Sequence, residues 1–257
     1  MQPDVVVPYG PHADQVVDLH LPDRRDAPLV CLLHGGFWRA AYDRMHVRVV
    51  VDALTAAGYA VANVEYRRVG SGGGWPGTFD DVAAALDAVP AMLAERLPGR
   101  ANTGSIVYVG HSAGGHLALW AALRSPAPRV LGVVPLAPVA DLGAAHALGL
   151  SRGAVSELLG GSPTDVPDRY SAADPMALGR PHARAVVLHG ERDDVAPLAL
   201  SQAYAARTGV ELRALPGIGH FELIDPTSSA WPAVRTAIDD VAQSGREPSG
   251  MGPTVAP

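Results

Sequence analysis

Apolar stretches of two kinds alternate along the chain. Gln15–Leu21, Leu29–Leu33, Ala60–Val64, Ile106–Val109, Val130–Leu136, Ala185–Leu188 and Glu211–Leu215 are short apolar runs and read as strands. Between them, Met45–Ala57, Val82–Leu97, Gly114–Leu123, Leu198–Ala206 and Trp231–Val241 repeat their apolar residues at the spacing of a helix face. The punctuation agrees. Gly58 stops the first helix, while the Asp80-Asp81 pair stands near the positive end of the second and Pro98-Gly99 beyond its far end.

Strand and helix in alternation predict the α/β class: a doubly wound, mostly parallel sheet with helices on both faces. Ligands of such sheets bind outside the carboxyl ends of the strands. Residues 1–243 read as a single domain, interrupted by residues 141–181, which carry only short helical patches such as Val155–Leu159. A long connection after a strand's carboxyl end is expected to form a cap-like insertion over the site. The tail 244–257, rich in Gly, Pro and Ser, is expected to be disordered.

Composition narrows the function classes. With 48% apolar residues in 257, a large core is available. A net charge of −6 and the lack of any dense Lys/Arg run argue against nucleic acid or an acidic membrane surface as partner. The single cysteine, Cys31, excludes an internal disulfide and reads as a buried strand residue. Met1-Gln-Pro-Asp lacks the basic and apolar regions of a secretory signal, and the uncharged stretch Ala101–Leu123 carries Asn102, Thr103 and two histidines, so no membrane span is expected. The expectation is a cytoplasmic protein; its oligomeric state is not readable.

The chemistry concentrates at predicted strand ends. "YVGHSAGGHLAL", Tyr108–Leu119, runs from a strand into a helix through Gly110-His111-Ser112-Ala113-Gly114. A sharp turn there would aim the Ser112 hydroxyl away from the sheet, with the glycines letting backbone pass closely. Such a hydroxyl needs a general base. In this architecture the chain order is serine, acid, histidine. His182 precedes a strand, His189 ends one, and His220 lies in the loop "LPGIGHFEL" after the last strand, so His220 is the expected base. For the acid, "VLHGERDDVAP" offers Glu191, Asp193 and Asp194; Asp193 is preferred, Asp194 is the main alternative, and Asp141 a further one. "LLHGGFWR" puts Gly35 and Gly36 after a strand on the same edge, and backbone N–H groups of Gly36, Phe37 and Ala113 are the expected oxyanion donors. Trp38, Trp75 and Phe221 are candidate substrate-binding residues.

With these motifs the chain resembles the α/β-hydrolase superfamily from about Val16 to Val241. His34-Gly-Gly-Phe-Trp38 together with "GHSAGGH" resembles its kynurenine formamidase (arylformamidase) and short-chain esterase branch, related to hormone-sensitive lipase. The branch pattern HGxxDxxVP lands its triad acid on Asp193, with Ala196 where the pattern has valine. The resemblance implies hydrolysis of a small carboxylic ester or activated amide through an acyl-enzyme, without metal or organic cofactor. Three readings follow: a carboxylesterase, an arylformamidase acting on an N-formyl aromatic amine, and a non-catalytic ligand-binding relative.

Overall fold

The computed structural model describes residues 2–124 and 130–244. Eight strands form one sheet: β1 (Val5–Pro8), β2 (Val16–His20), β3 (Ala27–Leu33), β4 (Ala60–Val64), β5 (Ala101–His111), β6 (Gly132–Leu136), β7 (Arg184–Gly190) and β8 (Glu211–Leu215). Their order is β1-β2-β4-β3-β5-β6-β7-β8. β2 runs antiparallel to both its neighbours, β1 and β4, and the pairs from β4 to β8 are all parallel, as the strand–helix alternation requires. The edge strand β1 is absent from the expected elements: four residues with one buried side chain carry too weak a pattern to read.

The sheet separates two cores by side-chain alternation. Leu29, Cys31, Leu33, Tyr108 and Val187 face one, and Val30, Leu32, Val109 and Val186 face the other. The first face is covered by α2 (Gly77–Arg96), α3 (Ala113–Leu123) and α8 (Leu198–Thr208), the second by α1 (Arg48–Ala56) and α9 (Trp231–Gln243). The expected helix Met45–Ala57 is in fact a 3-10 turn, Arg44–Val47, followed by α1. α2 starts earlier than its spacing suggests and runs through Pro90. Its Asp81 is not a solvated helix-end charge, because Arg67 Nη2 donates to its buried Oδ1 at 2.7 Å.

Residues 141–181 hold four short helices: α4 (Leu142–Ala147), α5 (Ala154–Leu159), α6 (Pro167–Ala173) and α7 (Pro175–Leu178). Arg39, in the loop after β3, fastens this segment by donating to Glu157 Oε2 at 2.7 Å and to the Ser151 carbonyl at 2.8 Å. Of the expected tail 244–257, everything from residue 245 lies outside the described residues. Among the described residues no helix is long and apolar enough to cross a membrane.

Candidate active site

Register at the carboxyl edge brings the site together. Leu33 of β3 lies opposite Val64 of β4 and Gly110 of β5, so the chain leaving each strand meets its neighbours: His34 meets Glu65, and Gly35 meets the turn at Ser112. Gly190 of β7 lies opposite Leu215 of β8, which sets the loop of Asp193 against the loop of His220.

Ser112 sits between β5 and α3 with φ 54° and ψ −117°, a conformation costly for any residue but glycine. The fold holds it there by a bond from Ser112 N–H to the Leu136 carbonyl at 2.8 Å. The flanking glycines are steric necessities. A Cβ on Gly110 would lie 2.1 Å from the Gly114 oxygen, and one on Gly114 would lie 2.2 Å from the Leu33 oxygen. Ala113 begins α3, so its N–H belongs to the first turn, whose donors have no acceptor within the helix.

His220 donates from Nδ1 to Asp193 Oδ2 at 2.6 Å, and the two side chains are 2% and 0% exposed. Asp193 Oδ1 accepts from the N–H groups of Val195 at 2.9 Å and Ala196 at 2.8 Å. Burial alone would raise the Asp193 carboxyl. The hydrogen bonds from His189 and His220 outweigh it, with the His220 charge and the Ala196 N–H, and hold the group well below the ordinary carboxylate range. Asp194 is exposed, and Asp141 caps α4 by accepting from Ala144 N–H at 2.7 Å, so neither reaches His220. His182 is exposed at the amino end of β7, away from this edge.

One cleft of about 40 Å³ has Ser112 and His220 in its wall, together with Gly36, Phe37, Phe221 and Val195. Tyr42, His46 and His111 complete it. His111 is buried, its Nε2 donating to the His220 carbonyl at 3.0 Å, and burial holds its basicity well below the ordinary histidine value. His46 and Tyr42 had no signal in the sequence, since His46 lies in the 3-10 turn Arg44–Val47 and Tyr42 in the loop before it, neither within a motif.

Gly36, Phe37 and Trp38 all have positive φ, at 106°, 51° and 56°. A glycine serves the first, while Phe37 and Trp38 are held in the left-handed region by their surroundings. Val69 N–H donates to the Trp38 carbonyl at 2.8 Å and Arg39 N–H to the Gly36 carbonyl at 3.0 Å. Beneath this loop, His34 donates from Nδ1 to the Gly35 carbonyl at 2.8 Å and from Nε2 to Glu65 Oε1 at 2.9 Å. The Tyr66 ring stacks on His34 with centroids 4.4 Å apart.

The aromatic candidates part company. Trp38 is 1% exposed and meets His116 edge-on, so its ring belongs to the core and offers no face for stacking on a ligand. The local pattern could not foretell this, because the positive φ at Phe37 and Trp38 turns the side chain inward. Trp75 is half-buried against Phe79, with ring centroids 5.0 Å apart, and does not line the cleft. Phe221 lines it and is 54% exposed.

Residues 17–207 match the BD-FAE family model. Esterase LipQ of Mycobacterium tuberculosis is 26% identical over 219 residues, covering 78% of this chain and 51% of that protein. An uncharacterized protein of the same organism is 30% identical over 205 residues, covering 77% of this chain and 65% of that protein. The chain thus spans about half to two thirds of the length of these curated relatives. A truncated carbohydrate esterase from gut microbiota superposes with a TM-score of 0.78 at 19% identity, over 96% of this chain and 98% of that one. The architecture is the α/β-hydrolase fold, and the chain belongs to the BD-FAE family.

Proposed function

We propose that this chain is a serine hydrolase of small carboxylic esters, working through an acyl-enzyme. The observation that carries this reading is the 2.6 Å bond from His220 to Asp193 at a cleft whose wall includes Ser112 in a strained turn. Asp193 occupies Nδ1, which leaves His220 Nε2 to take the Ser112 proton as the hydroxyl attacks the substrate carbonyl. Backbone N–H groups of Gly36, Phe37 and Ala113 receive the developing oxyanion, a class of contact worth about 3–4 kcal/mol per donor. The imidazolium then protonates the leaving alcohol, Asp193 stabilises its charge, and water repeats the sequence to free the acid. The esterase names of the relatives support this reading.

The cleft favours a short acyl group. Its volume is about 40 Å³, against the roughly 10–15 Å³ that a cavity needs to admit one water. A cleft of this size suits a short acyl group, with longer chains directed to the mouth beside the exposed Phe221. In this reading residues 1–243 form one catalytic unit, and the segment 141–181 shields the edge of the site through its Arg39 anchor.

The same compact cleft would accept a formyl group, which keeps the arylformamidase reading in play. Its aromatic moiety would then lie against Phe37, Tyr42 and Phe221, not Trp38. The test is kcat/KM on a p-nitrophenyl acetate-to-octanoate series beside an N-formyl aromatic amine, with Ser112→Ala as blank. Acetate is expected to lead, with losses on the order of 10⁶-fold in Ser112→Ala. Activity surviving in that variant would overturn the mechanism, and a formamide rate about tenfold above the best ester would select the alternative.

A further inference from the structure

Asp193 serves two histidines. Its Oδ2 lies 2.6 Å from His220 Nδ1 and 3.3 Å from Nε2 of His189, which stands one residue before the end of β7. The side chains of His189 and Asp193 are both fully buried. Each ring nitrogen of His189 has a partner. Nε2 is 2.8 Å from the Ala196 carbonyl, which can only accept, so Nε2 carries a hydrogen and shares it between Ala196 and Asp193. Nδ1 is 2.8 Å from Ser201 Oγ on α8, a buried hydroxyl that fixes the ring's orientation.

Holding the carboxylate in place does not require this contact, because Oδ1 is already fixed by the N–H groups of Val195 and Ala196. His189 acts on the other oxygen, the one that His220 uses. Two donors on one oxygen compete for its charge. We propose that His189, oriented by Ser201, is a positioning residue that draws charge from Asp193 Oδ2 and so limits how strongly Asp193 stabilises the His220 cation. This rests on the serine-hydrolase reading of Ser112, Asp193 and His220.

The consequence has a direction. Without the His189 N–H, Oδ2 gives more of its charge to His220, the imidazolium is stabilised, and the base is lost to protonation at higher pH. The acidic limb of the kcat/KM profile therefore moves up. Other ionisable groups near the pair stay as they are: His111, with its ring 4.5 Å from His220, His46 beyond it, and the exposed Glu191, Arg192, Asp194 and Glu222.

The test is the pH dependence of kcat/KM for p-nitrophenyl acetate in the wild type, His189→Leu, His189→Gln and Ser201→Ala, with folding followed by circular dichroism. His189→Leu removes the donor and is expected to move the acidic limb up by about half a pH unit or more. His189→Gln, which can return an N–H near the same place, brings it back toward the wild type. Ser201→Ala moves it in the same direction as His189→Leu by a smaller amount. A merely structural role lowers the plateau and leaves the limb where it was. If His189→Leu does not fold, Ser201→Ala decides, and an unmoved limb overturns the proposal. An unmoved limb in variants that keep Ser112-dependent activity sinks this inference alone. Activity surviving Ser112→Ala sinks the hydrolase reading and this inference with it.

Discussion

His34 Nε2 lies 2.9 Å from Glu65 Oε1, and both side chains are buried, at 0% and 1% exposure. Glu65 also accepts from Arg68 Nη1 at 2.8 Å, from Arg44 N–H at 2.9 Å and from Tyr66 N–H at 3.1 Å, so its carboxylate is fully engaged. His34 in turn holds the Gly35 carbonyl. In a trans peptide the C=O and the following N–H point in opposite directions, so pinning Gly35 O sets the direction of the Gly36 N–H. Glu65→Ala is therefore expected to lower kcat by about 10²-fold through loss of an aligned oxyanion donor, with KM little changed. Glu65→Gln keeps an acceptor for His34 and should recover much of the loss. Equal losses in both variants would show that the charge, not the hydrogen bond, maintains the loop.

The choice between neighbouring acids is directly testable. Asp193→Asn should cost about 10⁴-fold in kcat, the size seen when a histidine loses its orienting carboxylate. Asp194 is exposed, so Asp194→Asn should leave kcat/KM within about twofold. The reverse ranking would move the acid to Asp194.

Backbone crowding at the serine turn makes a stability prediction. A methyl on Gly114 would meet the Leu33 and His34 carbonyl oxygens at 2.2 and 2.4 Å, and neither backbone can retreat without moving β3. Gly114→Ala should lose about 4 kcal/mol or fail to fold, as read by urea denaturation. A stable, active Gly114→Ala protein would contradict the close approach.

Asp174 bridges two helix starts in the segment 141–181. Its Oδ1 accepts from Met176 N–H at 3.0 Å and its Oδ2 from Gly143 N–H at 3.3 Å. Burial, aided by the charge of Asp141, pushes its carboxyl up to about 6 against the donors that favour ionisation. Between the unfolded value near 3.9 and about 6 the folded chain binds the extra proton, so this group's contribution favours folding at low pH and is lost as pH rises through that window. The cost at neutral pH is roughly 3 kcal/mol at most. Asp174→Asn removes the charge and keeps one of the two acceptor oxygens, at a cost that does not vary with pH, so its Tm relative to the wild type is expected to be higher at pH 7.5 than at pH 4. A Tm difference independent of pH would show that Asp174 does not titrate in this range.

Trp38 and Phe221 should behave oppositely. Trp38→Ala empties a core site and is expected to destabilise by about 3–5 kcal/mol. Trp38→Phe removes an indole N–H that has no hydrogen-bond partner among the described residues, and should leave KM for aryl esters unchanged. Phe221→Ala should raise KM severalfold with little effect on Tm, because its ring is half in solvent at the cleft. A higher aryl-ester KM in Trp38→Phe would restore a substrate role for that ring.

Strand and helix periods, the glycines around Ser112 and the candidate set of Ser112, Asp193 and His220 could be read in the sequence, because each depends on local geometry or on the direction of the chain. α/β alternation is enough to predict a mostly parallel sheet and the edge at which the candidate site lies. What the periods could not carry was partnership. His34 and Glu65 are 31 residues apart and meet only because β3 lies beside β4 with Leu33 opposite Val64. His189 and Ser201 meet across the packing of α8 against β7, and Trp38 turns into the core because two successive residues adopt positive φ. Hydrophobic pattern records whether a side chain is buried, and many partners satisfy that equally. Which buried acceptor faces which buried donor is decided by strand order, register and rotamer, and these exist only once the chain is folded.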